Sequence, residues 1–143
     1  MATGIQRLVR RALLAKLKGD AGLIALVPSA SIHPAGEPSW PFIRLDAPVT
    51  RRLKATGLNG GVGSFDIHAF ARDREVAGSV VETGEDHAGR IGGAIEAALA
   101  DNRLALEGGG EVRITVDDMR LLTDDDPGAW HYFAQVNFRV LAA

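Results

Sequence analysis

The chain has 143 residues, 46% of them hydrophobic, no cysteine and a formal net charge of −2. That length suits one domain able to bury roughly two-thirds of its unfolded surface, and the lack of cysteine excludes disulfides, thiolate metal sites and cysteine nucleophiles while fitting a reducing cytoplasm. No apolar run approaches the roughly 20 residues that span a bilayer and no stretch has the build of a secretory signal, so the chain reads as soluble and intracellular.

The N-terminal stretch places Ile5, Leu8, Val9, Ala12 and Leu13 on one stripe, with Arg7, Arg11 and Lys18 opposite, which is an amphipathic helix. Gly19 stops it, and Asp20 is placed to cap a short second helix that Pro28 ends, so residues 1–27 form a helical corner. Pro34, Gly36, Pro38 and Pro41 make residues 29–41 an extended crossing, with a short edge strand near Ile32. From Phe42 the sequence alternates as a strand whose Pro48 implies an edge or a bulge. Residues 50–63 then read as a mobile, basic, glycine-rich hairpin loop carrying Arg51, Arg52 and Lys54. It is no phosphate-cradling loop, because no helix follows it and no Lys-Ser or Lys-Thr closes it.

The centre of the chain runs from Ser64 to Ala100. Phe65, Ile67, Ala69 and Ala71 alternate with Ser64, Asp66 and His68, the two-residue period of a half-buried strand. Asp73 is placed to cap the long helix that should follow from Val76, with Val76, Val80, Gly84, His87, Ala88, Ile91, Ala94, Ile95, Ala98 and Leu99 as its apolar stripe. Gly84 would admit the sheet closely. Gly78, Gly89 and Gly93 lie on the outer face with Glu82, Glu85, Asp86 and Glu96, which is either a solvated surface or a packing face for a second chain. Beyond it, Val112, Ile114 and Val116 form one strand, Asp117 and Asp118 interrupt, and residues 119–122 resume. Asp124 to Gly128 turn the chain into a last strand with Tyr132, Ala134, Val136, Phe138 and Val140 on one face, central or next to central in its sheet.

Chemistry-bearing patterns are sparse. The aspartates at 117, 118 and 124–126 lack the EF-hand pattern and read as a solvated turn, and His33, His68, His87 and His131 lack metal-ligand spacing. His87, on the apolar stripe, should be a core histidine with a backbone partner; no serine sits in a nucleophile-elbow context. No catalytic residue, metal site or cofactor is implied. Charge is divided: residues 1–72 hold ten Lys and Arg against four Asp and Glu, and residues 73–143 hold six against fourteen. Such halves either meet opposite charge on another copy or a partner, or are simply hydrated.

These elements make an α+β fold, an antiparallel sheet of about four to five strands with a long helix and the N-terminal helical corner packed on one face. Their order, with Leu13-Leu14-Ala15, Asp20 to Val27, Ile32-His33-Pro34, Trp40 to Leu45, Phe65 to Ala71, Asp124 to Pro127 and Phe138-Arg139-Val140, resembles the tail-completion (tail-terminator, head-to-tail joining) family of tailed phages and gene transfer agents. The resemblance implies a single domain over residues 1–143 that builds a hexameric ring at the tail–neck junction of a virion, assembled in the bacterial cytoplasm. Its partners would be its own copies, the tail tube protein and a head-closure, stopper or connector protein, with DNA passing through without sequence-specific contact and no membrane involved. To these contacts we assign Arg51, Arg52, Lys54, Glu82, Gly89, Gly93, Asp124 and Asp125. The alternatives are another neck component, a small enzyme using His68, His131 and nearby aspartates, or a nucleic-acid binder using the N-terminal and loop cations.

Overall fold

The computed structural model describes residues 4–46, 48–53, 57–99, 103–123, 125–126 and 128–142. In chain order the elements are helices α1 (Ile5–Gly19) and α2 (Ala21–Ile24), then strands β1 (Phe42–Leu45), β2 (Val49–Arg52), β3 (Asn59–Arg72), β4 (Arg74–Val76) and β5 (Ser79–Glu82). Helix α3 (Gly84–Leu99) and strands β6 (Arg103–Ala105), β7 (Gly110–Thr123) and β8 (Ala129–Ala142) complete the chain. The main sheet is antiparallel and five strands wide in the order β1-β3-β8-β7-β6, with β2 following β1 along the same edge of β3.

Strand β8 is central, as its alternation implied, and pairs with β3 along all 14 residues. One face of that pair, built from Phe65, Ile67, Ala69, Tyr132, Ala134 and Val136, is buried with Ile91, Ile95 and Leu99 of α3 and Leu8, Leu13 and Leu17 of α1 in one core. Each of these larger side chains contributes about 1.5–3 kcal/mol by leaving water. The N-terminal corner forms, with α2 ending at Ile24, short of Pro28, and with the Asp20 carboxylate accepting from the Leu23 N–H at 2.9 Å to cap it. His87 is a buried core histidine whose Nδ1 lies 3.2 Å from the Arg72 carbonyl.

The long helix is shorter than its stripe predicted, because residues 74–82 form a β-hairpin. Ala77 and Gly78 both take positive φ (52° and 82°), the geometry of a two-residue hairpin turn, between β-branched Val76, Val80 and Val81. Val76 and Val80 are therefore exposed on β4 and β5 and not on a helix stripe, and Gly78 is a turn residue. Glu82 ends β5, where its mostly covered carboxylate pairs with Arg74 and Arg90 at 2.8 Å each. The helix starts after Thr83, whose hydroxyl accepts from the Asp86 N–H at 3.2 Å. Asp73 still caps it, across the hairpin, by accepting from the Gly84 N–H at 2.6 Å.

Two further corrections follow from close backbone approach. Most of residues 50–63 are paired strand, not loop, since Val49–Arg52 pair with Gly61–Ser64. At Gly60, Gly61 and Gly63 a Cβ would run into backbone oxygens of Val140, Arg51 and Val49, so the glycines let β2 and β8 close on β3. Similarly, Asp117 does not end a strand: β7 continues through it with a bulge between Val116 and Asp118. The extra residue switches the face parity, so that Met119 and Leu121 join the helix-bearing side after Ile114 and Val116. Gly92 was absent from the expected stripe, yet a Cβ there would clash with the Tyr132 ring.

Candidate assembly interface

The helices leave one sheet face uncovered. Residues directly opposite in antiparallel strands project to the same side, so the register reads as rows across this face. At one end stands Phe42, Phe70, His131 and Leu122, followed by Arg44, His68, Phe133 and Arg120. Asp66, Gln135 and Asp118 come next, then Val49, Ser64, Asn137 and Thr115. Arg51, Val62, Arg139, Arg113 and Arg103 follow, and Gly60, Leu141, Glu111 and Ala105 end the series.

The two ends differ in chemistry. At the aromatic end Phe70 stacks on Phe42 at 4.8 Å and on His131 at 4.4 Å, with Trp40 edge-on to both phenylalanines and the Arg72 guanidinium 4.0 Å over Trp40. At the other end, none of Arg51, Arg103, Arg113 and Arg139 has an ion pair among the described residues. Like charges set opposite one another repel, so this row favours carboxylate or phosphate groups brought by a partner. An open concavity of about 530 Å³ lies beside it, from Val49 and Arg51 across to Ser64 and Asn137, lined by neither histidine nor carboxylate.

Register also brings two histidines together. His68 Nδ1 lies 2.6 Å from His131 Nε2, and His68 Nε2 lies 3.0 Å from the exposed Asp46 carboxylate. Asp46, Asp66 and His68 place possible ligand atoms within 4.8 Å of one another, a grouping that sequence spacing could not reveal because it spans two strands. Both ring nitrogens of His68 have neighbours within hydrogen-bond distance, so Asp46, His68 and His131 form a chain of contacts on this face. Of the aspartates in the last hairpin, Asp126 pairs with Arg72.

The sheet has an open edge on each side. Beyond Arg113, which pairs with β6, no strand among the described residues covers the outer edge of β7. On the far side the outer edge of β2 is likewise free of a strand among the described residues. Val49 is 74% exposed on one edge, and Met119 and Leu122 are 44% and 45% exposed on the other.

The residues singled out in the sequence fall in separate places. Arg51 and Arg52 are exposed on β2, near the start of β3. Glu82 lies beside α3 with Arg90, and Gly89 is half-buried next to Leu121, while the Cβ position of Gly93 faces open space. Asp125 is exposed after β7; Lys54 and Asp124 lie outside the described residues. Arg103, Arg113 and Arg139 were missed, and their only signal was their place at outward positions of alternating strands, which becomes a row once the register is known.

An exposed face banded by charge and two uncovered strand edges define a module built to meet other proteins. The chain belongs to the Tail completion protein gp17 family, whose model matches residues 11–141. This makes it a structural tail-completion protein, in agreement with the resemblance carried by its motifs. Its fold is similar to a chain of the virion of a native gene transfer agent particle, at 18% identity and a TM-score of 0.75, covering 99% of this chain and 100% of that one. A second solved chain, 15% identical, overlays with a TM-score of 0.56 across 98% of both. No curated protein matches the sequence. Among the described residues, no helix is long and apolar enough to cross a membrane.

Proposed function

We propose that this chain forms a closed ring, six copies as the family resemblance implies, that ends the tail tube and joins the tail to the head side of a phage-like particle. It acts by contact and not by catalysis. Its partners are its own copies, the tube protein on one ring face and a head-closure or connector protein on the other, at the tail–neck junction. DNA passes through without sequence-specific contact. The observation that carries this reading is family membership over nearly the whole chain, supported by the end-to-end likeness of its fold to a virion chain. Two ring faces need different chemistry, and the arginine row and the aromatic row at opposite strand ends supply it.

The test is to delete the gene in a producing strain and view the particles by electron microscopy. Unjoined heads together with tails of uncontrolled length are expected, with both defects corrected by the wild-type gene. Joined particles with tails of normal length would overturn the reading.

A further inference from the structure

Among the described residues, no strand pairs with the outer edge of β7 from Ile114 to Thr123, a long edge that carries neither Lys nor Pro. Proteins that keep such an edge in solution usually blunt it with those residues, with bulges or with a cover. Here one bulge interrupts it, at Asp117. Exposed Met119 and Leu122 make it adhesive. On the opposite side of the same sheet, the short edge strand β2 exposes Val49, Arg51 and Arg52.

The charges of the two edges are complementary. Neither Arg51 nor Arg52 has an ion pair among the described residues, whereas β7 and the turn after it carry Glu111, Asp117, Asp118, Asp125 and Asp126 against Arg113, Arg120 and the neighbouring Arg72. The geometry points to one occupant for each edge: we propose that β2 of one copy adds to the β7 edge of the next, so that the sheets run on from subunit to subunit. This inference rests on the ring reading and names the contact that closes it.

Two different edges on opposite sides of one sheet give a head-to-tail contact, the kind that generates a ring when the rotation closes. Closure removes both edges. Because β2 lies level with Val112 to Thr115 and the free β7 edge begins at Ile114, the strands would be inclined to the ring axis, with the arginine row and the aromatic row toward opposite ring faces.

The natural lack of cysteine makes the test clean. Variants pairing Arg51→Cys with Asp118→Cys, Arg120→Cys or Leu122→Cys are oxidised at concentrations where the wild type self-associates by light scattering. At least one pair should give a covalent ladder beyond dimer, while single-cysteine variants stop at dimer and an Arg7→Cys, Lys18→Cys pair on α1 gives no ladder. Reversal of both Arg51 and Arg52 to Glu should weaken self-association by roughly a hundredfold, since like charges at an interface are strongly unfavourable, with circular dichroism unchanged. If the wild type forms rings but no edge pair cross-links, this contact is wrong and the ring stands. If the wild type stays monomeric even at the highest soluble concentration, both fall.

Discussion

His33 takes a left-handed backbone conformation, φ 52°, at the edge of β1, and the surroundings set its protonation. The Leu45 N–H donates to its Nδ1 at 3.1 Å, and an Arg10 nitrogen lies 2.8 Å from its Nε2. A neutral imidazole can accept at one nitrogen only, and a protonated ring at neither. Burial first, then the charges of Arg10, Arg44 and Lys18, hold its pKa below the ordinary 6.5. The unfolded chain therefore binds this proton at a higher pH than the folded one, and between the two values stability falls as pH falls. In His33→Asn the amide oxygen still accepts from Leu45, and Asn tolerates left-handed backbone. The urea midpoint of the variant should drop less between pH 7 and pH 5 than that of the wild type; equal drops would remove His33 from the acid response.

At the scale of elements, the segment from Asp73 to Gly84 separates what sequence could and could not reveal. The strand before it and the helix after it were legible because each holds a single period: Phe65, Ile67, Ala69 and Ala71 at two, and His87, Ala88, Ile91, Ile95, Ala98 and Leu99 at 3.6. Val76 and Val80 also fit the helical period by coincidence, and the competing signal, Ala77-Gly78 between β-branched residues, is a turn whose strength depends on tertiary support. The two open edges were not legible at all, since strand order decides which strand is outermost. Asp73 was assigned to the right helix by sequence proximity and reaches it through space, 11 residues away from Gly84. Asp73→Ala should thus cost about 1 kcal/mol, the usual loss of an N-cap, while Asp73→Asn, which keeps an acceptor oxygen, should lose less. Matching urea midpoints for wild type and Asp73→Ala would show that Thr83 caps the helix unaided.

For the whole molecule, the division of charge between its halves matters less than where unpaired charge lies. Some acids of the C-terminal half are engaged close by, as with Glu82 by Arg74 and Arg90, and Asp126 by Arg72, while Glu75, Glu85, Asp86 and Glu111 have no ion pair among the described residues. Arg7, Arg44, Arg51, Arg52 and the row at Arg103, Arg113 and Arg139 have no ion pair among the described residues, and Arg51, Arg103, Arg113 and Arg139 fall in one row of the open face. The glycines of α3 differ in what they face. Gly92 is held by the Tyr132 ring, but at Gly93 nothing lies within 4 Å of a Cβ, so the fold does not require a glycine there. Leu at an exposed helical site is favoured over Gly by somewhat less than about 1 kcal/mol, and Gly93→Leu should therefore raise the denaturation midpoint of the isolated subunit. If the outer face of α3 packs on another copy, the same variant should hinder ring assembly by light scattering, because the added side chain fills space that the neighbour needs. Higher stability with weaker assembly identifies a contact face; higher stability with unchanged assembly means that this helix face meets only water.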